Sequence, residues 1–218
     1  LIRNPEWCGM FASSGAGIQI AHGPYAGRLV QQYTVRFKDE NWAASAYSDD
    51  DGVTWHIGSL VGPGADENKS VELADGTLML NIRAKPYRKV AYSMTGGDSW
   101  YGLHDDHNLP DPGNNGSLIR YAPDAVAGDD TAGDDANWLL FSNTESTDSR
   151  RNLTIKLSCD GGRSWPVRRT VETGPSAYST LVRLRDGNFA IAYERADYRY
   201  ITLMTFTPSW LPRRCMGD

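Results

Sequence analysis

The sequence predicts an all-β chain of the β-propeller type, and three observations lead there. Short stretches rich in β-branched and aromatic residues, such as Gly17-Ile-Gln-Ile-Ala21, Arg28–Phe37 and Arg88–Ser93, are separated at short intervals by Gly, Asp, Asn and Pro. No long stretch holds a 3.6-residue apolar period, which leaves little room for helices. Two sequence units also recur along the chain, and recurrence is what separates a propeller from a sandwich or a barrel.

The first repeat reads Ser-x-Asp-x-Gly-x-Thr/Ser-Trp. It occurs as Ser48–Trp55, with Asp50, Gly52 and Thr54 in place, and as Ser158–Trp165, with Asp160, Gly162 and Ser164. A degenerate copy, Ser93–Trp100, carries Thr95 where the others carry Asp. Gly supplies a backbone conformation that other residues resist, and the Asp side chain bonds nearby N–H groups to fix the turn. The Trp is expected to bury its ring against the adjoining blade. Asp50 and Asp160 are therefore structural clips rather than catalytic acids.

The second repeat is Val71-Glu-Leu73-Ala-Asp75-Gly76-Thr-Leu78 against Val182-Arg-Leu184-Arg-Asp186-Gly187-Asn-Phe189, an offset of 111 residues. Together the repeats give four blade-sized units, near residues 12–60, 61–103, 110–168 and 172–208. No linker-like composition divides them, so residues 1–218 read as one domain. The third unit is the longest because of an Asp- and Gly-rich insert, Pro123–Ala136. Its ligand spacing matches no calcium-loop pattern, which favours a solvated loop.

Composition excludes several function classes. The chain of 218 residues holds 22 Lys and Arg against 27 Asp and Glu, a net charge of −5. Without a basic excess, nucleic acid is not an expected partner. No apolar run approaches the ~20 residues that span a bilayer, so no membrane span is expected. Leu1–Trp7 lacks the hydrophobic stretch of a signal peptide. Three cysteines, Cys8, Cys159 and Cys215, include no C-x-x-C pair and suit neither a disulfide scaffold nor a thiolate zinc site. No metal or other cofactor is implied.

Equivalent positions of successive blades lie at similar heights around a propeller axis, so the offset of 111 serves as a ruler. It maps Glu67 onto Tyr178 and Arg83 onto Glu194. Two pairs of polar or ionisable residues therefore occupy corresponding strand ends on different blades, from which they could converge on a ligand.

These residues also carry a resemblance. The clip resembles the Asp-box of the sialidases (exo-α-neuraminidases), most closely the bacterial, actinomycete type. So do Gly15–Ile20 with Gly27–Tyr33, Asp66-Glu-Asn-Lys-Ser-Val-Glu-Leu73, Asp111-Pro-Gly-Asn-Asn-Gly-Ser117 and Ala177-Tyr-Ser-Thr-Leu181. The resemblance implies a six-bladed sialidase propeller of which about four blades are present. It implies release of terminal sialic acid from glycoproteins, glycolipids and oligosaccharides by a retaining glycosidase. It also implies a catalytic couple of Tyr178, the nucleophile, and Glu67, its base. Sialic acid carries a carboxylate on its anomeric carbon, which would repel an Asp or Glu nucleophile, and sialidases are an exception to the two-carboxylate scheme for this reason. A phenol with a pKa near 10 needs a neighbouring carboxylate to take its proton.

Arg83 and Arg150 resemble two members of the arginine triad that grips the substrate carboxylate. Arg151 stands beside Arg150 and leaves that position open by one residue, although strand alternation lets only one of them face the axis. Guanidinium suits the work because its planar fork pairs with carboxylates and keeps its charge. Glu194 resembles the carboxylate that orients one triad arginine. Asn114 and Asn115 resemble residues that line the acyl-amino pocket, although Asn-Asn-Gly is also an ordinary turn. Family precedent implies secretion.

Several motifs rank lower. His104-Asp-Asp-His107 reads as a surface pair rather than a metal site. Asn68-Lys-Ser70, Asn115-Gly-Ser117 and Asn152-Leu-Thr154 match the glycosylation pattern, which short sequences meet by chance. Two family elements have no counterpart: the early Arg-Ile-Pro segment with the first triad arginine, and the loop Asp that acts as general acid/base. The chain thus reads as the C-terminal two-thirds of a sialidase domain, inactive or nearly so when isolated. The alternative is a non-catalytic propeller, a lectin-like or sortilin-like module that uses the same clips to bind carbohydrate or protein.

Overall fold

The computed structural model describes residues 4–122, 135–211 and 215. Within them the only helical segments are two single 3-10 turns, Gly23–Tyr25 and Pro208–Trp210, and the rest is strand and turn. Contacts divide the chain into two compact units, Leu1–Ala84 with Arg88–Asp106 and Lys85–Tyr87 with His107–Asp218.

The first unit begins with β1 (Gly9–Ala12), β2 (Ile18–Gln19), β3 (Leu29–Phe37), β4 (Glu40–Ser48) and β5 (His56–Ile57). They form one sheet in the order β1-β3-β4-β5, with β2 also on β3. The next sheet runs β6 (Asn68–Glu72), β7 (Leu78–Ile82), β8 (Tyr87–Ser93) and β9 (Tyr101–Pro110) in sequence order. Tyr87 and the last four residues of β9 belong to the second unit. Apolar clusters help to hold the first unit. One joins Ala43, Val61, Ala65, Leu80, Ile82 and Ala91, another Ile20, Val30 and Leu78, and Trp100 packs against both. Arg28 ties these sheets with polar bonds: it forks onto Asp49 at 2.7 and 2.8 Å and donates to the Thr95 and Gly96 carbonyls. Its guanidinium lies between the rings of Tyr25 and Tyr47.

In the second unit β10 (Ser117–Arg120), β11 (Leu139–Thr144), β12 (Arg151–Ser158), β13 (Val167–Arg183), β14 (Phe189–Arg195) and β15 (Tyr200–Phe206) follow one another in order. The 17-residue β13 serves two blades: Val167–Pro175 pairs with β12, and Ser176–Arg183 with β14. Pro175 sits at the changeover, where its missing N–H breaks the ladder. The sequence therefore contributes four blade-like sheets, matching the four units expected from the repeats. Leu140, Leu153, Ile155, Val167, Leu181, Phe189, Ile191 and Phe206 are fully or almost fully buried in one cluster.

Both repeats have the predicted physical basis. In the first clip Asp50 accepts from Thr54 N at 2.8 Å and Thr54 Oγ1 at 2.6 Å, while Ser48 Oγ accepts from Gly52 N at 2.9 Å. In the second, Asp160 accepts from Ser164 N at 2.9 Å and Ser164 Oγ at 2.6 Å, and Gly162 N donates to Ser158 Oγ at 2.8 Å. The degenerate copy keeps the wiring with a hydroxyl: Ser99 N donates to Thr95 Oγ1 at 2.9 Å, and Gly97 N to Ser93 Oγ at 3.0 Å. The offset of 111 survives as register, since Asn68 pairs with Ile82 as Ser179 pairs with Tyr193.

Some expectations are corrected. Trp165 is buried against Phe141 and Trp100 donates to Ser45 Oγ, but Trp55 is 37% exposed and bonds its own Gly52 carbonyl instead. The cysteines are not all unpaired: Cys159 and Cys215 form a disulfide with Cα atoms 5.7 Å apart, and Cys8 stays free. A separation of 56 residues carries no local signal for that pairing. Asn68 and Asn115 are buried, so two of the three glycosylation matches are closed to a transferase in the folded chain. Residues 123–134 of the Asp- and Gly-rich insert lie outside the described residues. No described helix is long and apolar enough to cross a membrane.

Candidate active site

The sequence-predicted residues fall into two groups, one in each unit. In the first unit, Glu67 and Arg83 flank the paired strands β6 and β7. Arg83 N donates to the Glu67 carbonyl at 2.8 Å, which extends the ladder by one step and puts both side chains on one face. Arg83 Nη1 then donates to Glu67 Oε2 at 2.6 Å, and Ser14 Oγ donates to Glu67 Oε1 at 2.5 Å. Asp66 lies 3.7 Å from Arg83 Nε. Glu67 is 5% exposed, so its charge is stabilised by these donors rather than by bulk water.

In the second unit Tyr178 lies at a bulge of β13, where register shifts between Ser176 and Ser179. Bulges re-aim side chains, and this one leaves Tyr178 half-buried. Two neighbours fix its backbone. Tyr178 N donates to Glu194 Oε2 at 3.0 Å, and Asn114 Nδ2 donates to the preceding Ala177 carbonyl at 2.9 Å. Glu194, which resembles the carboxylate that orients a triad arginine, here holds the Tyr178 main chain. Asn114 is fully buried and also donates to Thr144 Oγ1, so it braces Tyr178 from beneath; Asn115 is buried beside it.

The Arg150 guanidinium lies over the Tyr178 ring, 5.5 Å from its centroid. Arg150 Nη2 donates to the Gly113 carbonyl at 3.0 Å and Nη1 to Tyr198 Oη at 2.8 Å. Among the described residues two of its five N–H donors are used, which leaves three for an anion. Arg151 instead is exposed, with Asp148 at 3.8 Å. Of the two arginines, it is Arg150 whose guanidinium lies over Tyr178, while Arg151 faces Asp148. A cleft of about 580 Å³ opens beside it, lined in part by Arg150, Thr173, Pro175, Ala177 and Tyr198.

Sequence reasoning missed Ser14, Lys69 and Tyr198. Tyr198 ends a turn in which Ala196, Asp197 and Tyr198 all have positive φ, at 52°, 54° and 66°. Three non-Gly residues in that region cost about 1 kcal/mol each, and no repeat marks them. His104 and His107 are exposed and stack or edge onto Tyr92 and Tyr87. Among the described residues no cluster of His, Cys, Asp and Glu could hold a metal.

Residues 13–191 match the family described as the BNR repeat-like domain. The chain belongs to that family. Its relatives there include sialidases: that of Micromonospora viridifaciens is 47% identical over 216 residues, covering 97% of this chain and 32% of its own length. A sialidase of Bacteroides fragilis is 29% identical and is covered over 36% of its length. Among solved structures, a Hadza microbial sialidase superposes with a TM-score of 0.82 at 31% identity, over 96% of this chain and 40% of that one. The Ruminococcus gnavus intramolecular trans-sialidase, at 24% identity and a TM-score of 0.78, shares the fold. The resemblance to sialidases and the all-β propeller class are both borne out. This BNR repeat-like chain spans about a third of the curated relatives' length named above.

Proposed function

We propose that the protein is an exo-α-sialidase of which this chain supplies the nucleophile, its base and two carboxylate-binding arginines. The observation that carries the reading is the Arg150 guanidinium stationed over the Tyr178 ring at the edge of a cleft. A cation there lowers the cost of negative charge developing on the phenol oxygen, and its three unused donors suit a carboxylate. The identity to the Micromonospora sialidase supports the same chemistry.

In this reading Arg83 and Arg150 take the sialic acid carboxylate. Tyr178 Oη attacks the anomeric carbon as the bond to the aglycone oxygen breaks, and the phenol proton passes to Glu67. A sialyl–Tyr178 ester-free aryl glycoside results. An acid from outside this chain protonates the leaving oxygen, and a third arginine also comes from there. Water, giving its proton to the outside group that has just acted as acid, then attacks the anomeric carbon as the bond to Tyr178 Oη breaks, the phenoxide recovers its proton from Glu67, and configuration is retained overall. Sialylated glycans are the substrates, and the 218-residue chain alone is inactive or nearly so. Secretion belongs to the same proposal, and the Cys159–Cys215 disulfide supports it because such bonds persist in oxidising compartments.

The test is to trap the intermediate. A longer form of the protein that includes the preceding sequence is treated with a slowly hydrolysed fluorinated sialosyl donor and digested for mass spectrometry. The adduct is expected on the peptide containing Tyr178 and should vanish in Tyr178→Phe. An adduct that persists in that variant defeats the assignment.

A further inference from the structure

The loop before β2 lies along the start of β6 residue by residue. Ser13 Oγ accepts from Asn68 N at 3.1 Å, and Ser14 Oγ donates to Glu67 at 2.5 Å. Gly15 follows over Lys69: a Cβ built on Gly15 would stand 2.5 Å from Lys69 Nζ. Gly15 has φ of +106°, a conformation that favours glycine, and the tip of Lys69 fills the space a Cβ would take. The ammonium of Lys69 is thereby closed in. Lys69 is 8% exposed, and no hydrogen bond reaches its Nζ among the described residues.

A buried cation without a hydrogen bond is costly, and something must offset that cost for it to be tolerated. The charged groups facing it are Glu67, two residues earlier on the same face of β6, and Arg88 on β8. Asn81, its cross-strand partner on β7, is neutral, and its Oδ1 accepts from Arg88 Nε at 2.6 Å rather than from Lys69. Arg88 repels the ammonium, and the attraction named for it among the described residues is that of Glu67. Burial first, and Arg88 in addition, push the Lys69 pKa down to about 8, while Glu67 pulls it up. The attraction is mutual: whatever Glu67 does for Lys69, Lys69 does for the carboxylate.

We propose that Lys69 is a positioning residue for the reaction, a buried counter-charge that holds negative charge on Glu67 alongside Arg83 and Ser14. The proposal rests on the reading of Glu67 as the base for Tyr178. Arg83 is called on to bind substrate, and its hold on Glu67 is shared when an anion arrives. Lys69 is sealed beneath Gly15 and keeps its full effect through the cycle.

A structural lysine and a counter-charge predict opposite results for Lys69→Met. Removing a buried, unbonded charge should raise the melting temperature at pH 7. It should also move the midpoint of the Glu67 carboxylate up by about 0.5–1 pH unit, read by carbon-13 NMR with the resonance assigned through Glu67→Gln. Lys69→Arg, which keeps the charge, should leave that midpoint near its wild-type value. The sign of the wild-type pH dependence is set too. Its folded-state pKa lies below the unfolded one, so the protein should gain stability as pH rises from about 8 towards 10.5. Lys69→Met should abolish that gain. A lower melting temperature or loss of folding in Lys69→Met would identify a structural strut and overturn the proposal. So would an unmoved Glu67 midpoint, or no wild-type gain above pH 8. None of these readouts needs turnover, whereas failure of the sialidase reading shows in the trapped adduct.

Discussion

Tyr198→Phe isolates the contribution of a single hydroxyl to carboxylate binding. The variant keeps the ring, and the turn backbone has no new demand placed on it. It removes only the acceptor for Arg150 Nη1, 2.8 Å away. Hydrogen bonds to charged groups contribute about 1.5–3 kcal/mol when buried, but Tyr198 is 60% exposed, which brings the expected loss to about 1 kcal/mol. Arg150 retains the Gly113 carbonyl, so it swings about one remaining tether rather than detaching. A loss of about 1 kcal/mol is roughly a fivefold change in affinity. The expected result, in a catalytically complete form of the protein, is KM raised about fivefold with kcat changed less than twofold. A sialoside carboxamide, which offers Arg150 no charge, should bind wild type and variant alike. A fall in kcat at constant KM, or an equal effect on the carboxamide, would refute the reasoning.

Other outcomes follow from the same geometry. Asn114→Ala strips the Ala177 carbonyl and Thr144 hydroxyl of a fully buried donor, so urea denaturation should show a loss of about 2–3 kcal/mol. The Thr54 hydroxyl and N–H, with Ser48, hold the Asp50 carboxyl down at about 2. Its contribution is therefore present above the ordinary carboxylate range and lost as pH falls through about 2, and Asp50→Asn should flatten the acid limb of thermal melts between about pH 4 and 2. Reducing Cys159–Cys215, which closes a loop of 56 residues, should cost about 2–4 kcal/mol, seen as a lower melting temperature in reductant.

How much was legible divides along physical lines. The clips were legible because each is a local circuit: Ser48, Asp50, Gly52 and Thr54 bond one another within a few residues, so their spacing is the structure. Thr95 shows why a degenerate copy was still readable, since a hydroxyl can accept the Ser99 N–H that a carboxylate would. The offset of 111 was legible because paired strands preserve register, and it brought Glu67 with Arg83 and Tyr178 with Glu194 into equivalent places. That Arg150 rather than Arg151 lies over Tyr178 was not, because alternation fails at irregular strand ends such as the break between Arg151 and Leu153.

Sequence alone therefore determined the all-β repeat class, the clips and the residue types of the chemistry, all of which depend on local turns and strand periodicity. Tertiary structure decided what each of those residues touches. Ser14 on Glu67, Gly15 over Lys69 and Tyr198 on Arg150 join positions about 50 residues apart, set by the pairing of distant strands. No local pattern encodes such meetings, because side chains held by different strands are brought together only when the sheets close on their cores.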